Sequence, residues 1–428
     1  MKPVRPDAQE NRRVVVLDDD PTGTQTVHDL PVLTRWTVDD IRWALDQDTA
    51  GFFVLTNTRS LPPDAAAARN REVVQACLAV DPDGLVFASR GDSTLRGHYP
   101  LETDVIGSLV PVDSVLLVPA YIDAGRVTVN GVHYVRGGVP VAETEFAKDA
   151  TFGYRSSRLA EWVEEKSAGR IGRDDVTELT LDTIRSAPTE DLAAALTGPV
   201  IAVDAETDAD LRTVVRAVSA AEAAGKRFVY RVGPSFVRAR LGQEATAPIS
   251  DERLAGLVGD GHGLVVVGSH VGLTSRQLDV LTRRRRPRTV EIDVRAVLAD
   301  PDAAVADAVA EAALDESLVV LSTSRELVTG ADEAASLDIA RRVSAALTRA
   351  TREICARHRP AYVIAKGGIT SADIATEALG IDRAWARGSL LPGIVSLWEA
   401  QSGLPYIVFA GNVGDDESLA DVVDRLEA

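Results

Sequence analysis

The chain has 428 residues, 45% of them hydrophobic, and a formal net charge of −18, so it holds material for two buried cores and lacks the basic face that a nucleic-acid protein needs. No apolar run approaches the ~20 residues that span a bilayer, so no membrane partner is expected. Cys77 and Cys355 are the only cysteines, which excludes a disulfide framework; with an opening "MKPVRPDAQENRR" that has no apolar stretch, they predict a cytoplasmic protein.

Short β-branched runs alternate with Ala-rich helical runs from end to end. This predicts an α/β fold of two domains, each with a largely parallel sheet flanked by helices. In chain order the first half offers strands at "RVVVLDD", "GFFVLTN", "GLVFASR", "SVLLVPA", "PVIAVDA" and "RFVYRVG". Apolar spacings of three and four predict helices at "DAAAARNREVVQACLAV" and "DADLRTVVRAVSAAEAAGK". Residues 124–175 form a polar, Gly-rich excursion with little helical pattern, and 124–155 would suit a lid or a homodimer contact. The stretch 242–260, rich in Gly, Pro, Ser and Ala, reads as the boundary between domains 1–245 and 246–428. The second half offers strands at "GLVVVGS", "TVEIDV", "LVVLSTS", "AYVIAKG" and "LPYIVFAGN", with helices at "PDAAVADAVAEAALDE" and "ASLDIARRVSAALTRATREICARH". The run "TRRRRPR" at 282–288 follows a helical stretch and meets a proline, so it reads as a solvated basic helix end rather than an anion patch.

In open α/β sheets, ligands bind beyond the carboxyl ends of the strands. In the first half those ends carry Asp18, Asp19 and Asp20, then Arg59 and Ser60, then Arg90, Asp92, Ser93 and Arg96, then Arg126 and Asn130. Three acids after a buried strand repel one another, and one of them suits the N-cap of the Pro-Thr-Gly-Thr turn. Arginine forks bind carboxylates bidentately, and Asp or Asn binds sugar hydroxyls, so this edge suits a small polyhydroxy acid. Arg59 and Arg96 are candidates to hold its carboxylate or the transferring phosphate. The tripeptide Arg90-Gly91-Asp92 is coincidental as an adhesion motif in an acidic chain, and Ser93 lacks the Gly-x-Ser-x-Gly elbow of a hydrolase. The six histidines show no zinc spacing; His98 and His133 serve either chemistry or a hydrogen-bonded position, and no metal-ligand set can be assigned.

The second half repeats one device three times, a strand running into glycine and then a helix: Gly268-Ser269, Gly367-Gly368 with Thr370 or Ser371 as cap, and Gly411-Asn412 with Gly414. Such turns present backbone N–H groups and the helix dipole to phosphate. No GxxxxGK[ST] and no clean GxGxxG occurs, which disfavours a dehydrogenase. An acid–hydroxyl–arginine site in one domain and a phosphate cradle in the other predict phosphoryl transfer in an interdomain cleft, with a carboxylate taking the acceptor's proton and Mg2+ bridging the phosphates. Asp19 is the candidate base among the three acids, because alternation at the strand end would turn it away from Asp18 and Asp20.

In order along nearly the whole chain, "LDDDPTG", "TNTRSLPP", "DSTLRG", "VPAYIDAGRVTVNGVHYV", "FAKDATFGY", "VVVGSHVGLTSRQL", "KGGITS", "GSLLPGIVSLW" and "VFAGNVGD" resemble the four-carbon acid sugar kinase family. The resemblance implies an N-terminal substrate domain, a C-terminal nucleotide domain, and ATP-dependent phosphorylation of the terminal hydroxyl of a threonate, erythronate or 3-oxo-tetronate. By position it implies that Ser269, Gly367, Gly368, Ile369, Thr370 and Gly411 line the ATP site, and that Asp18 to Asp20, Arg59, Asp92, Ser93 and Arg96 line the substrate side. Two positions depart from the family pattern: Ile369 stands where an acid is usual, and Arg90 where a lysine is. Ile369 also keeps open a second reading, a non-catalytic sugar-acid or nucleotide sensor. Lys366 either adds positive charge near the phosphates or is an exposed strand-end lysine.

Overall fold

The run Arg13–Asp18 (β1) buries Val14, Val15, Val16 and Leu17 in succession, as a strand covered on both faces does. The structure, a computed structural model, describes residues 12–312, 317–325, 328–330 and 333–428. It divides into two units, Met1–Ala245 and Thr246–Ala428. In the first unit β1 is followed by Leu30–Leu33 (β2), Gly51–Leu55 (β3), Leu85–Arg90 (β4), Ser114–Val118 (β5), Val127–Val129 (β6), Val132–Val135 (β7), Val139–Pro140 (β8), Val176–Leu179 (β9), Val200–Val203 (β10) and Phe228–Val232 (β11). The order β2-β3-β1-β4-β11-β5-β10-β9 is parallel throughout, while β6, β7 and β8 form a small antiparallel sheet.

Register decides what meets at the sheet edge. Asp18 pairs with Leu55 of β3 and with Arg90 of β4, and Arg90 pairs with Val232 of β11. The acids, the Arg59 turn and the Asp92 loop therefore leave neighbouring strands at one level. Helices Pro63–Val80 and Asp208–Ala223 occupy the runs read as helical; the second starts at a Thr207–Asp210 capping box. The excursion is built into this unit rather than standing off it. Thr128 N donates to Ala205 O, His133 N donates to Ser157 O, and Val141, Ala147 and Tyr154 join a core with Leu95, Tyr99 and Trp162.

The second unit carries Leu264–Val267 (β12), Arg288–Ile292 (β13), Val319–Thr323 (β14), Val363–Lys366 (β15), Arg383–Leu391 (β16), Val395–Ala400 (β17) and Pro405–Phe409 (β18). Strands β13-β14-β12-β15-β18 are parallel, and β17 and β16 continue the sheet antiparallel. Helices Pro301–Glu311 and Glu333–Arg357 fall on predicted runs; residues 313–316 of the first run lie outside the described residues. The arginine run ends helix Gly272–Arg285 but is not merely solvated. Arg284 pairs with Asp421 at 2.6 Å and Asp424 at 2.9 Å, and Arg285 with Asp424 at 3.3 Å, on the acidic helix Ser418–Leu426. Within 242–260, Ser250 caps a short helix, Asp251–Ala255. No helix among the described residues is long and apolar enough to cross a membrane.

Candidate active site

At the carboxyl edge of the first unit, three acids meet two arginines. Arg59 grips Asp19 with two N–H groups, Nε to Oδ2 at 3.1 Å and Nη2 to Oδ1 at 2.5 Å, and reaches Asp20 Oδ2 through Nη1 at 3.2 Å. Arg90, buried, donates through Nε to Asp18 Oδ1 and through Nη2 to the Asp20 carbonyl at 2.5 Å. Asp20 also caps the turn Pro21–Thr26, accepting Thr22 N at 2.7 Å. The expectation that alternation isolates Asp19 is not met, because the strand ends at Asp18 and Arg59 draws Asp19 and Asp20 onto one guanidinium. Burial pushes the Asp18 carboxyl up to about 7, with Arg90 pulling against it and the charges of Asp19 and Asp20 adding to it.

The second layer of this edge is the loop after β4. Asp92 accepts Arg96 Nε at 2.6 Å and Thr94 N at 3.2 Å, and lies 3.9 Å from Arg126 Nη1. Burial alone would raise it, yet Arg96, Arg59 and Arg126 together hold it well below the usual carboxylate range. Ser93 Oγ accepts Arg126 Nη1 at 2.6 Å, and the Ser93 carbonyl accepts His133 Nε2 at 2.8 Å. The other ring nitrogen of His133 meets Thr128 Oγ1 at 2.9 Å, and burial pushes the ring down to about 4, so His133 is a neutral brace. His98 fills a hydrogen-bonded position too, with Nε2 at 2.9 Å from Leu61 O. Ser60 is exposed and closes its own turn onto Asn57 O. Asn130 forms the β6–β7 turn, where its backbone meets Asp204 and Arg158, and no hydrogen bond or ion pair among the described residues joins it to the acid–arginine cluster. Arg90 and Asp92 are buried, so the Arg-Gly-Asp tripeptide is not presented at the surface.

Two supporting residues carried no signal in the sequence. Arg231 on β11 and Glu102, from helix Leu101–Gly107, form a buried pair at 2.6 Å. A Cβ at Gly91 would collide with the Arg231 guanidinium, which is why the Asp92 loop starts on glycine. Glu102 also accepts Thr58 Oγ1 at 2.6 Å, so one carboxylate holds the Arg59 turn as well.

In the second unit, β12 runs on to β13 on one side of the sheet and β15 runs on toward β18 on the other. The crevice between β12 and β15 is thus a switch point, the place where doubly wound sheets take ligands. Ser269 and Gly367 leave those two strands. Thr274 Oγ1 joins Ser269 Oγ at 3.2 Å to Gly411 O at 3.0 Å, and a Cβ on Gly411 would stand 2.5 Å from Ser269 Oγ. Gly367 has φ +120 and precedes helix Gly368–Asp373, in whose first turn Ile369 is 59% exposed and Thr370 half-buried. These tight glycine turns fit a phosphate chain. Lys366 is not an exposed strand-end lysine: it is fully buried, its Nζ donates to Ala410 O at 2.7 Å and lies 3.6 Å from the Phe409 ring centroid, and burial holds the amine well below the usual lysine range.

A resident divalent cation does not fit the acids. No group of three His, Cys, Asp or Glu among the described residues is placed to hold a metal, and Asp18, Asp19 and Asp20 all accept from guanidiniums.

A family model for a sugar-binding N-terminal domain matches residues 14–240, and one for a nucleotide-binding C-terminal domain matches 264–419. The chain belongs to the four-carbon acid sugar kinase family. Among relatives in this family, D-threonate kinase of Salmonella typhimurium is 28% identical over 393 residues, 87% of this chain and 88% of that protein. D-threonate kinase of Bordetella bronchiseptica is 28% identical over 86% of this chain and 84% of its own. D-erythronate kinase of Heliobacterium modesticaldum is 29% identical over 58% of this chain and 54% of its own. Crystal structures of proteins from Salmonella typhimurium LT2 and Haemophilus influenzae share the fold, with TM-scores of 0.69 and 0.64 at 17% and 16% identity, each over 96% of this chain and over 98% and 100% of theirs. The acid–arginine cluster lies within the sugar-binding match of this family, and the glycine turns lie within the nucleotide-binding match.

Proposed function

We propose that this chain is an ATP-dependent kinase that phosphorylates the terminal hydroxyl of a four-carbon acid sugar of the threonate, erythronate or 3-oxo-tetronate type. The observation that carries the reading is the match along both units to curated D-threonate kinases, with the charged cluster inside the sugar-binding part. Asp19 is the acid assigned to the acceptor hydroxyl. A Cβ on Gly97 would lie 3.0 Å from its Oδ2, so it faces the Asp92 loop while Arg59 orients it, whereas Asp18 lies against Arg90 and Asp20 caps a turn.

In the transfer, the hydroxyl gives its proton to Asp19, its oxygen bonds the γ-phosphorus, and the bond to the bridging oxygen of ADP breaks. Ser269, Gly367, Gly368, Ile369, Thr370 and Gly411 are assigned to the nucleotide, and Mg2+ enters with ATP as part of that substrate. In-line transfer requires the acceptor edge of the first unit and the glycine turns of the second to face one reaction centre, the interdomain cleft of this reading. Release of ADP over a panel of four- and five-carbon aldonates and oxo-acids tests it. Among these acids, turnover of the four-carbon members alone, lost in Asp19→Asn, is the expected result; a chain that binds an acid but releases no ADP is a sensor.

A further inference from the structure

Four guanidiniums stand at the acceptor edge, and their donor edges are unequally committed. Arg59 is held by Asp19 and Asp20, Arg90 by Asp18 and the Asp20 carbonyl, and Arg96 by Asp92. Arg126 has no carboxylate within hydrogen-bonding distance among the described residues: Asp92 is 3.9 Å away, and its side-chain hydrogen bond goes to Ser93 Oγ at 2.6 Å. Its guanidinium carbon lies 5.7 Å from the Tyr121 ring centroid and 5.6 Å from that of Phe146. The side chain is 16% exposed, so it is not sealed from a ligand. Both rings lie within cation–π range of the guanidinium, and its N–H groups beyond the Ser93 bond are donors that a carboxylate can take bidentately. Ser93, the one partner, is itself fixed through its carbonyl by His133.

We propose that Arg126, flanked by Tyr121 and Phe146, anchors the carboxylate of the acid substrate and so directs the other end of its short chain to Asp19. The assignment rests on the kinase reading above, and it replaces the expectation that Arg59 and Arg96 hold that carboxylate. It gives the Gly-rich excursion a task. Phe146 comes from that segment, and its ring also lies 5.1 Å from the Arg96 guanidinium carbon, so the excursion supplies one wall of the anion site.

The test pairs each acid with the neutral polyol of the same carbon chain, threonate with threitol and erythronate with erythritol, in ADP-release assays of the full chain. Arg126→Gln should lower kcat/KM for the acids roughly 10- to 100-fold, the range for one lost charge-assisted hydrogen bond. It should leave polyol turnover and the KM for ATP within about twofold, with Arg126→Lys in between. Phe146→Leu should erode the acid-over-polyol preference while keeping the charge. Equal losses on acid and polyol would reduce Arg126 to a structural residue, and an unchanged preference would place the anchor elsewhere; either overturns the proposal. If the wild type turns over no acid, the kinase reading fails by itself, and calorimetric binding of threonate to wild type and Arg126→Gln still decides the anchor. Weakened binding in the variant supports it, and equal binding overturns it.

Discussion

Arg231 donates to Glu102 at 2.6 Å with both side chains no more than 5% exposed, and this pair supports two loops of the acceptor edge. Through Arg231 it backs the Asp92 loop, and through Thr58 it holds the turn that carries Arg59. Two loops from different strands are thereby tied to one buried carboxylate.

Glu102→Gln keeps the shape and removes the charge, leaving Arg231 buried without its counter-ion. Breaking one side of a buried pair typically costs about 3–5 kcal/mol, so urea unfolding should show a loss of that order. In the surviving folded protein, the KM for the acid sugar should rise while the KM for ATP holds. A variant with wild-type stability and wild-type KM for the acid would show that the pair positions nothing.

Why the acids and arginines were legible while this pair was not follows from where each sits. Asp18 to Asp20, Arg59, Asp92 and Arg96 follow strands, and charged residues there have few structural reasons to exist. Arg231 lies inside a strand and Glu102 inside a helical stretch, where single charges ordinarily face solvent; only the lateral pairing of β11 with β4 brings them together. Strand β16 is hidden in the sequence for a related reason. Register shifts between Ala386 and Gly388 and between Ser389 and Leu391 break the two-residue alternation that marks a strand. Of the two readings of Lys366, the exposed strand end fails because a lysine between an apolar strand and a glycine turn looks solvated in sequence, whereas Phe409 on the neighbouring strand buries it.

Two buried groups at the acceptor edge set opposite pH slopes on stability. Folded Asp18 keeps its proton to about 7 against an ordinary value of 3.8, so between those values folding takes up a proton and stability falls as pH rises. Folded His133 stays neutral down to about 4 against 6.5, so over nearly the same window unfolding takes up a proton and stability rises with pH. In the wild type the two offset each other. Asp18→Asn should leave a stability that rises from pH 4 to 6.5 more steeply than wild type, and His133→Gln one that falls. Urea midpoints across this range are the measurement, and parallel curves for wild type and Asp18→Asn would mean that Asp18 is ionised throughout.

Lys366 and Gly411 both adjoin Ala410, and opposite outcomes are expected on changing them. The amine of Lys366 is spent on the Ala410 carbonyl and buried against Phe409, so Lys366→Met should change the KM for ATP by less than about threefold. Gly411→Ala places a Cβ 2.5 Å from Ser269 Oγ and must displace that serine, so the KM for ATP should rise at least tenfold with the KM for the acid unchanged. Initial rates against ATP decide both. A tenfold effect in Lys366→Met would instead mean that the amine is charged in the complex and reaches the phosphates.

Ile369 puts an apolar side chain, 59% exposed, in the first turn of the helix that follows Gly367, the turn proposed above to meet the nucleotide. An acid there is favoured by the helix dipole by about 0.3–1 kcal/mol, yet it also stands near phosphate oxygens and repels them unless a cation lies between. Ile369→Asp should therefore raise thermal stability slightly. It should also weaken ATP binding at low free Mg2+ and recover it as Mg2+ rises, giving a steeper Mg2+ dependence of ADP release than the wild type. Superimposable Mg2+ curves for the two proteins would place residue 369 away from the phosphates and remove Ile369 from the nucleotide site.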